Sequence, residues 1–222
     1  MTRFASVFPG EGRRVLLPVI HYRCHHLAMR SIDASVRAGA DGVLLINQGT
    51  FEGDKGLALE KLRDEAKREH PGLWVGVNML GTAPEAWEGY DGTWADNAYP
   101  RGADGRPSYL DAMERWRETE KRPGYLYLGG VAFKYQARVS EDDLTPLTMK
   151  ASQDMDVVVT SGDRTGLPPT PQKIRTMREA TEVMASLGSV TPIGIASGIS
   201  VDNVRNYLAD AQVFIVASSI ED

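Results

Sequence analysis

Cysteine is nearly absent from this sequence: Cys24 is the only one in 222 residues, so no disulfide can form within the chain. Histidine is scarce too, and the four histidines show no zinc-ligand spacing. No uninterrupted apolar run is long enough to cross a bilayer, and residues 1–14 lack the apolar core of a secretory signal. We therefore expect a cytoplasmic protein with no metal, no cofactor and no membrane partner.

An excess of basic charge is also missing. The chain has 25 Lys and Arg against 30 Asp and Glu, a net charge of −5, and no basic stripe is visible. Nucleic acid is thus not the expected partner, since a binding surface must neutralise phosphates. With 42% hydrophobic residues the chain can bury a large core, and no linker or repeat divides it. We expect one domain over 1–222.

Eight short apolar runs alternate with helical patterns along the chain. Their hydrophobicity is continuous rather than alternating, which is typical of parallel strands buried on both faces. The runs are VLLPVI (15–20), GVLLIN (42–47), LWVGVN (73–78), GTWADN (92–97), YLYLGGVAF (125–133), VVVTSG (157–162), PIGIAS (192–197) and VFIVAS (213–218).

Helix starts are marked between the runs. Thr170 before Pro171 combines a cap with a proline at the first helical position. Ser200 can cap a helix over 201–208. After residue 140 two starts compete, and Thr145-Pro146 is favoured over Ser140 because a start at Ser140 leaves Pro146 inside the helix.

Eight strands alternating with helices predict an α/β (β/α)₈ TIM barrel. A doubly wound sheet is the alternative, and it is disfavoured because no Gly-x-Gly-x-x-Gly follows the first strand. The polar loop 97–108 is long enough to act as a lid. Only SIED follows the last strand, so helix 8 is short or missing. Either segment 1–14 or a second subunit should then cover strands 8 and 1, and we expect a homo-oligomer.

The active site of such a barrel lies at the carboxyl ends of its strands. Small hydroxylated residues end strands 7 and 8, where many barrels hold a phosphate on backbone N–H groups. The alternative is that these residues only make tight turns. The predicted phosphate-binding residues are Ser197, Gly198, Ser218 and Ser219, together with Ser161 and Gly162 from TSGDRTGLPP.

Three charged side chains at the same rim are candidate catalytic residues. Lys134 follows the longest apolar run and could bind an anion or form an imine. Asp96 and Asp163 are candidate proton carriers, although an aspartate in a turn can simply bond its own backbone. Arg164 could clamp a phosphate or carboxylate. The other predicted substrate-binding residues are His21, Asn47, Asn78 and Asn97.

Several stretches resemble the BtpA-like barrel family. They are VIHY, FKYQARVS, DVVVTSGDRTGLPP, PIGIASGISVDNVRNYL and VFIVASSI, and the similarity extends over 15–220. Relatives carry a Lys-His pair where this chain has Lys134-Tyr135. The resemblance implies a ribulose-phosphate-binding type of barrel. Members of that family are linked to photosystem I accumulation or lie near sugar metabolism, so the resemblance implies no single reaction.

Three functions remain open at this point. The first is an enzyme that isomerises, cleaves or transfers a small phosphorylated sugar or ribosyl substrate. The second is a non-catalytic binding or assembly protein that retains a phosphate pocket and exposes an apolar surface. The third, a metallohydrolase, is disfavoured by the few histidines.

Overall fold

The computed structural model describes residues 2–48, 54–80, 86–99, 122–135, 138–185 and 190–217. Eight parallel strands, β1 to β8, close into a barrel in which each strand pairs with the next and β8 pairs with β1. The predicted (β/α)₈ barrel is therefore confirmed. None of the described helices is both long and apolar enough to cross a membrane.

All eight predicted strands are present. They are β1 Val15–His21, β2 Gly42–Ile46, β3 Trp74–Asn78, β4 Gly92–Tyr99, β5 Leu126–Val131, β6 Val157–Thr160, β7 Ile193–Ile195 and β8 Val213–Val216. The described α-helices are α1 Arg3–Val7, α2 His25–Arg37, α3 Lys55–Glu69, α4 Glu141–Asp154 and α5 Pro171–Ala185. Most of these strands are buried on both faces, which explains their continuous hydrophobicity.

Residues 2–14 close the amino-terminal end of the barrel, so the first of the two alternatives, that this segment covers strands 8 and 1, was wrong. The second, a covering subunit, stays a prediction. Phe4 and Phe8 are buried with the residues that fill the barrel interior, and the Phe8 and Trp74 rings lie 5.8 Å apart. Arg3 Nε donates to Asp156 Oδ1 (2.9 Å) just before β6. The segment packs into this opening as a plug because burying two phenylalanine side chains there is more favourable in free energy than leaving them exposed to water.

Helix α4 begins at Glu141, so the predicted start at Thr145-Pro146 was wrong. The Ser140 hydroxyl accepts from the Asp143 N–H (3.1 Å) and donates to the Asp143 carboxylate (2.6 Å). This cap and three acidic residues in the first turn stabilise the helix start. Pro146 consequently lies inside the helix, where it removes one backbone hydrogen bond.

The predicted helix over 201–208 was also wrong, because this segment forms turns around a short 3₁₀ helix, Val204–Asn206. Its conformation is set by Asn203, which accepts from the Ser200 N–H (3.0 Å) and donates to the Gly198 carbonyl (2.7 Å). These side-chain bonds compete with α-helical backbone bonds. In the described part of the chain, no eighth α-helix follows β8.

Candidate active site

Asp96 lies at an irregularity in β4 that redirects the strand at its carboxyl end. The β4–β5 register shifts between Ala95 and Tyr99. Gly130 of β5 makes this possible, because a Cβ there would lie 1.9 Å from the Asp96 carbonyl oxygen. Bulges of this kind frequently re-aim a side chain next to an active site.

The Asp96 carboxyl is largely buried and bonded to a neighbouring strand. Asn78 Nδ2 donates to Asp96 Oδ1 (2.8 Å), which brings together two residues predicted for the site. Burial raises the pKa of Asp96, while the Asn78 hydrogen bond and the charge of Lys134 oppose that rise. A carboxyl whose pKa is raised by burial is a candidate for moving a proton during a reaction.

Lys134 lies in a turn held in an unusual backbone conformation. Ala132 and Tyr135 on either side have φ angles of 48° and 61°, which non-glycine residues rarely adopt. The Lys134 N–H donates to Ser161 Oγ (2.7 Å), and Ser161 Oγ donates to the Gly162 carbonyl (2.8 Å). Strained backbone of this kind clusters at functional sites, and here the Ser161 hydrogen bond helps to hold the turn that carries the lysine.

Lys173 belongs to this region, and the sequence analysis missed it. Its ammonium donates to the carbonyls of Ala132 (2.6 Å) and Ser161 (2.9 Å), which ties the ends of β5 and β6 together. Burial lowers the pKa of Lys173 to about 8, against the opposing charge of Asp163. One signal was available: Lys173 is in the first turn of α5, where the helix dipole disfavours a cation.

The loop after β6 packs across the ends of β6 and β7. A Cβ on Gly162 would lie 2.4 Å from the Leu167 carbonyl oxygen, and a Cβ on Gly198 would lie 2.2 Å from the Pro168 nitrogen. Ser197 Oγ also donates to the Arg164 carbonyl (3.2 Å). Packing alone therefore explains why glycine is present at both positions, whether or not they bind a phosphate, because only glycine permits this close backbone approach.

Three backbone N–H groups that follow β7 are nevertheless available as hydrogen-bond donors among the described residues. Within the described part of the chain, the N–H groups of Ser197, Gly198 and Ile199 donate no hydrogen bond. Gly198 has a φ of 64°, a conformation that can turn successive N–H groups toward one point. Arg164 lies on the adjacent loop, where its backbone carbonyl accepts from Ser197 Oγ and its side chain is exposed.

The remaining predicted residues are placed as follows. Asn47 Oδ1 accepts from the Leu80 N–H (3.0 Å) and so holds the loop after β3. Asp163 is exposed, and its charge acts on Lys173. His21 ends β1 and is half-buried. The side chain of Asn97, residues Ser218 and Ser219, and most of the predicted lid loop (residues 100–108) lie outside the described residues.

Two of the other histidines are engaged by carboxylates on the outside of the barrel. His25 Nε2 lies 2.7 Å from Glu65 Oε2, and His70 Nε2 lies 2.7 Å from Asp33 Oδ1. Among the residues that the structure describes, no group of three or more His, Cys, Asp or Glu could hold a metal ion.

Comparison with known proteins relates the chain to others through its fold. No protein-family model matches the sequence, and no curated protein matches it significantly. Solved barrels do match in structure. (S)-3-O-geranylgeranylglyceryl phosphate synthase from Thermoplasma acidophilum, a complex with sn-glycerol-1-phosphate, has a TM-score of 0.63 and 13% identity, over 98% of this chain and 91% of the other.

Two further structures show the same relationship. The tryptophan synthase α subunit from Legionella pneumophila has a TM-score of 0.57 and 13% identity, over 99% of this chain and 87% of the other. An archaeal fructose 1,6-bisphosphate aldolase has a TM-score of 0.55 and 12% identity, over 98% of this chain and 90% of the other. At these identities the similarity shows the fold alone, and the chain is a TIM barrel whose structural neighbours include synthases and an aldolase.

Proposed function

We propose that this protein is an enzyme acting on a small phosphorylated sugar or ribosyl substrate. The observation that carries the proposal is the cluster at the carboxyl end of the barrel. There a buried Asp96 with a raised pKa feels the charge of Lys134, and the donors after β7 lie on the same rim. This end of a barrel is where enzymes of this fold place their chemistry.

Each part of the cluster has a distinct role. The N–H groups of Ser197, Gly198 and Ile199, with the Arg164 guanidinium, bind the phosphate. Asp96 takes or returns a proton on the substrate carbon or hydroxyl, and its burial raises its pKa above the ordinary value of a carboxyl. Lys134 stabilises the negative charge that develops, or forms an imine with a carbonyl substrate.

The known substrates of the structural neighbours support this proposal. One is a phosphate synthase solved with sn-glycerol-1-phosphate, and another is a fructose 1,6-bisphosphate aldolase. Both act on small phosphorylated molecules. The proposal extends that substrate class to this chain and leaves the reaction among isomerisation, cleavage and group transfer.

Thermal unfolding with pairs of ligands tests the phosphate site. Each sugar phosphate is compared with its unphosphorylated parent. A ligand at about 100 times its Kd stabilises the folded state by about 2.7 kcal/mol. For a domain of this size that raises the Tm by about 5–10 °C. We expect only the phosphorylated ligands to raise the Tm. If none of the sugar phosphates raises the Tm, the proposal is contradicted.

Two variants and one control locate the site. Arg164→Gln, at an exposed residue, should weaken phosphate binding at least fivefold without changing the Tm of the free protein. Ser197→Asp puts a negative charge beside the proposed phosphate and should abolish the response. Arg205→Gln removes another exposed arginine, which lies outside the proposed site, and should leave phosphate binding and the Tm unchanged.

Borohydride trapping with a phosphorylated aldehyde, pyridoxal 5′-phosphate, tests whether Lys134 can form an imine. Peptide mapping by mass spectrometry then identifies the labelled lysine. Lys134 should carry the label, and Lys134→Ala should lose it. Label on Lys173 instead would contradict the assignment. Burial lowers the pKa of Lys173 to about 8, so its amine is the competing nucleophile at this rim.

A further inference from the structure

A long groove runs along the outside of the barrel over β1 and β8. It has a volume of about 1130 Å³. Its floor is formed by outward-facing residues of the two strands, and its walls are α2 and the turns around the 3₁₀ helix. The apolar part of its lining includes Leu16, Leu27, Val201 and Leu208.

The groove exposes large apolar side chains on both walls and on the floor. Val201 is 88% exposed and Leu27 is 47% exposed, and Leu16 and Leu208 are each more than one-third exposed. Surface hydrophobic residues are normal when they are scattered, but these four share one concave surface. Their arrangement indicates a surface that another apolar element covers.

The wall formed by α2 is shaped for a helix. Leu27, Ser31, Ala34 and Ala38 line the groove at a spacing of i, i+4, i+7 and i+11, so they form one row along α2. Three of these four residues are small. A row of small side chains leaves a shallow channel into which the ridge of a second helix can pack.

The groove is strongly positive on a protein whose net charge is −5. Arg23, Arg30 and Arg37 follow one another at seven-residue intervals and form no ion pair within the described part of the chain. Among the described residues, Arg14 bonds to the backbone carbonyls of Gly12 and Leu208 and to no carboxylate. Asp33 is the one carboxylate that the described lining contains, and it is hydrogen-bonded to His70.

We propose that this groove binds an acidic amphipathic helix of a partner protein. The seven residues of β1 extend for about 23 Å, since a strand rises about 3.3 Å per residue. A helix of about 15 residues has that length, at 1.5 Å per residue. Its apolar stripe would cover Leu16, Leu27 and Val201, and its carboxylates would lie against the arginines.

A second copy of this chain fits the groove less well. A two-fold interface would bring together the same positively charged groove from both copies. That arrangement is repulsive unless anions intervene. A flat membrane surface is also a poor fit, because the apolar residues line a concave groove. An acidic helix satisfies the apolar and the charged parts of the groove together.

Two synthetic 15-residue helical peptides test the proposal with the full-length protein. Both carry leucines at i, i+4, i+7 and i+11, and the flanking positions are glutamate in one and lysine in the other. Binding is measured by isothermal titration calorimetry at low and at physiological salt. The glutamate peptide should bind at least tenfold more tightly than the lysine peptide, with the difference shrinking as salt rises.

Variants assign the binding to the groove. Leu27→Glu should weaken binding of the glutamate peptide at least tenfold. Val183→Glu, at a 60% exposed residue of α5, should leave that affinity unchanged. Arg30→Glu combined with Arg37→Glu should reverse the preference toward the lysine peptide. Circular dichroism checks that each variant folds.

Three outcomes would overturn the proposal. They are equal affinity for the two peptides, no saturable binding of either, and binding that Leu27→Glu leaves unchanged. Sedimentation velocity adds a fourth: a wild-type dimer that Leu27→Glu converts to monomer would assign the groove to a second copy.

Discussion

The carboxyl of Asp96 is held in an environment that disfavours its charge. Burial raises its pKa, and the Asn78 hydrogen bond and the Lys134 charge only partly offset that rise. The folded protein therefore loses stability to keep an ionised carboxylate at this position. Such a loss is common where a residue is retained for activity rather than for folding.

Asp96→Asn should stabilise the protein at neutral pH. The asparagine can still accept the Asn78 hydrogen bond but carries no charge to desolvate. We expect a gain of about 0.5–2 kcal/mol, measured by urea unfolding, and loss of any turnover. Because the folded-state pKa lies above the ordinary 3.8, the wild-type protein loses this stability as pH rises from about 4 through the raised pKa. The advantage of the variant should grow over that range and then stay constant.

Asp163→Asn is the matched control for this prediction. Asp163 is an exposed carboxyl at the same rim. Its variant should show no comparable gain in stability. An Asp96→Asn variant that is less stable than wild type at pH 7 would mean that the carboxylate stabilises the fold.

Residue-scale features of the site were only partly visible in the sequence. The positions of Asp96, Lys134 and Ser161 at strand ends followed from the apolar runs, because a parallel strand buried on both faces ends where polar residues begin. The role of Lys173 could not be predicted in this way. Its side chain reaches from α5 to the ends of β5 and β6, and this is a contact between residues far apart in the sequence. The need for glycine at 130 depends on a contact with Asp96, which no local pattern reveals.

Helix α4 shows how a helix start can override a proline. The reciprocal bonds of Ser140 and Asp143 and the acidic first turn favour a start at Glu141, although Pro146 then lies inside. Buried Leu144, Thr148 and Ala151 extend the helix across the proline, because these side chains need α-helical spacing to reach the core. Packing across the whole helix thus outweighs one lost hydrogen bond.

Pro146→Ala should therefore stabilise the protein. The alanine restores a backbone N–H inside α4 and removes the clash of the proline ring with the preceding turn. The gain should be about 1–2 kcal/mol, because the proline penalty of about 3 kcal/mol is reduced by the freedom that alanine adds to the unfolded chain. Chemical denaturation measures it.

Pro171→Ala provides the comparison within the same protein. Pro171 is exposed like Pro146 but is the first residue of α5, where a proline N–H is not needed. This variant should be neutral or slightly destabilising. If both substitutions stabilised equally, the position of Pro146 within its helix would not be the cause.

On the scale of the whole molecule, the two ends of the barrel have different tasks. The amino-terminal end is closed by α1 and the residue that follows it, because Phe4 and Phe8 pack on the apolar interior. The carboxyl-terminal end carries Asp96, Lys134 and the N–H groups of Ser197, Gly198 and Ile199, which donate no hydrogen bond among the described residues. The barrel itself could be predicted because eight apolar runs repeat along the chain. The plug could not, because FASVF is too short to show where it packs.

Phe8→Ala should separate stability from binding. Phe8 is 5% exposed and contacts Trp74, so its truncation leaves a cavity at the closed end of the barrel. We expect a loss of about 3–5 kcal/mol in the free energy of unfolding. The Kd for a sugar phosphate that binds the wild type should change less than twofold at a temperature where the variant is folded, because the site is at the opposite end. A variant that kept its stability would show that α1 is not part of the core. A variant that stayed folded but lost the ligand would show that the two ends are coupled through the barrel interior.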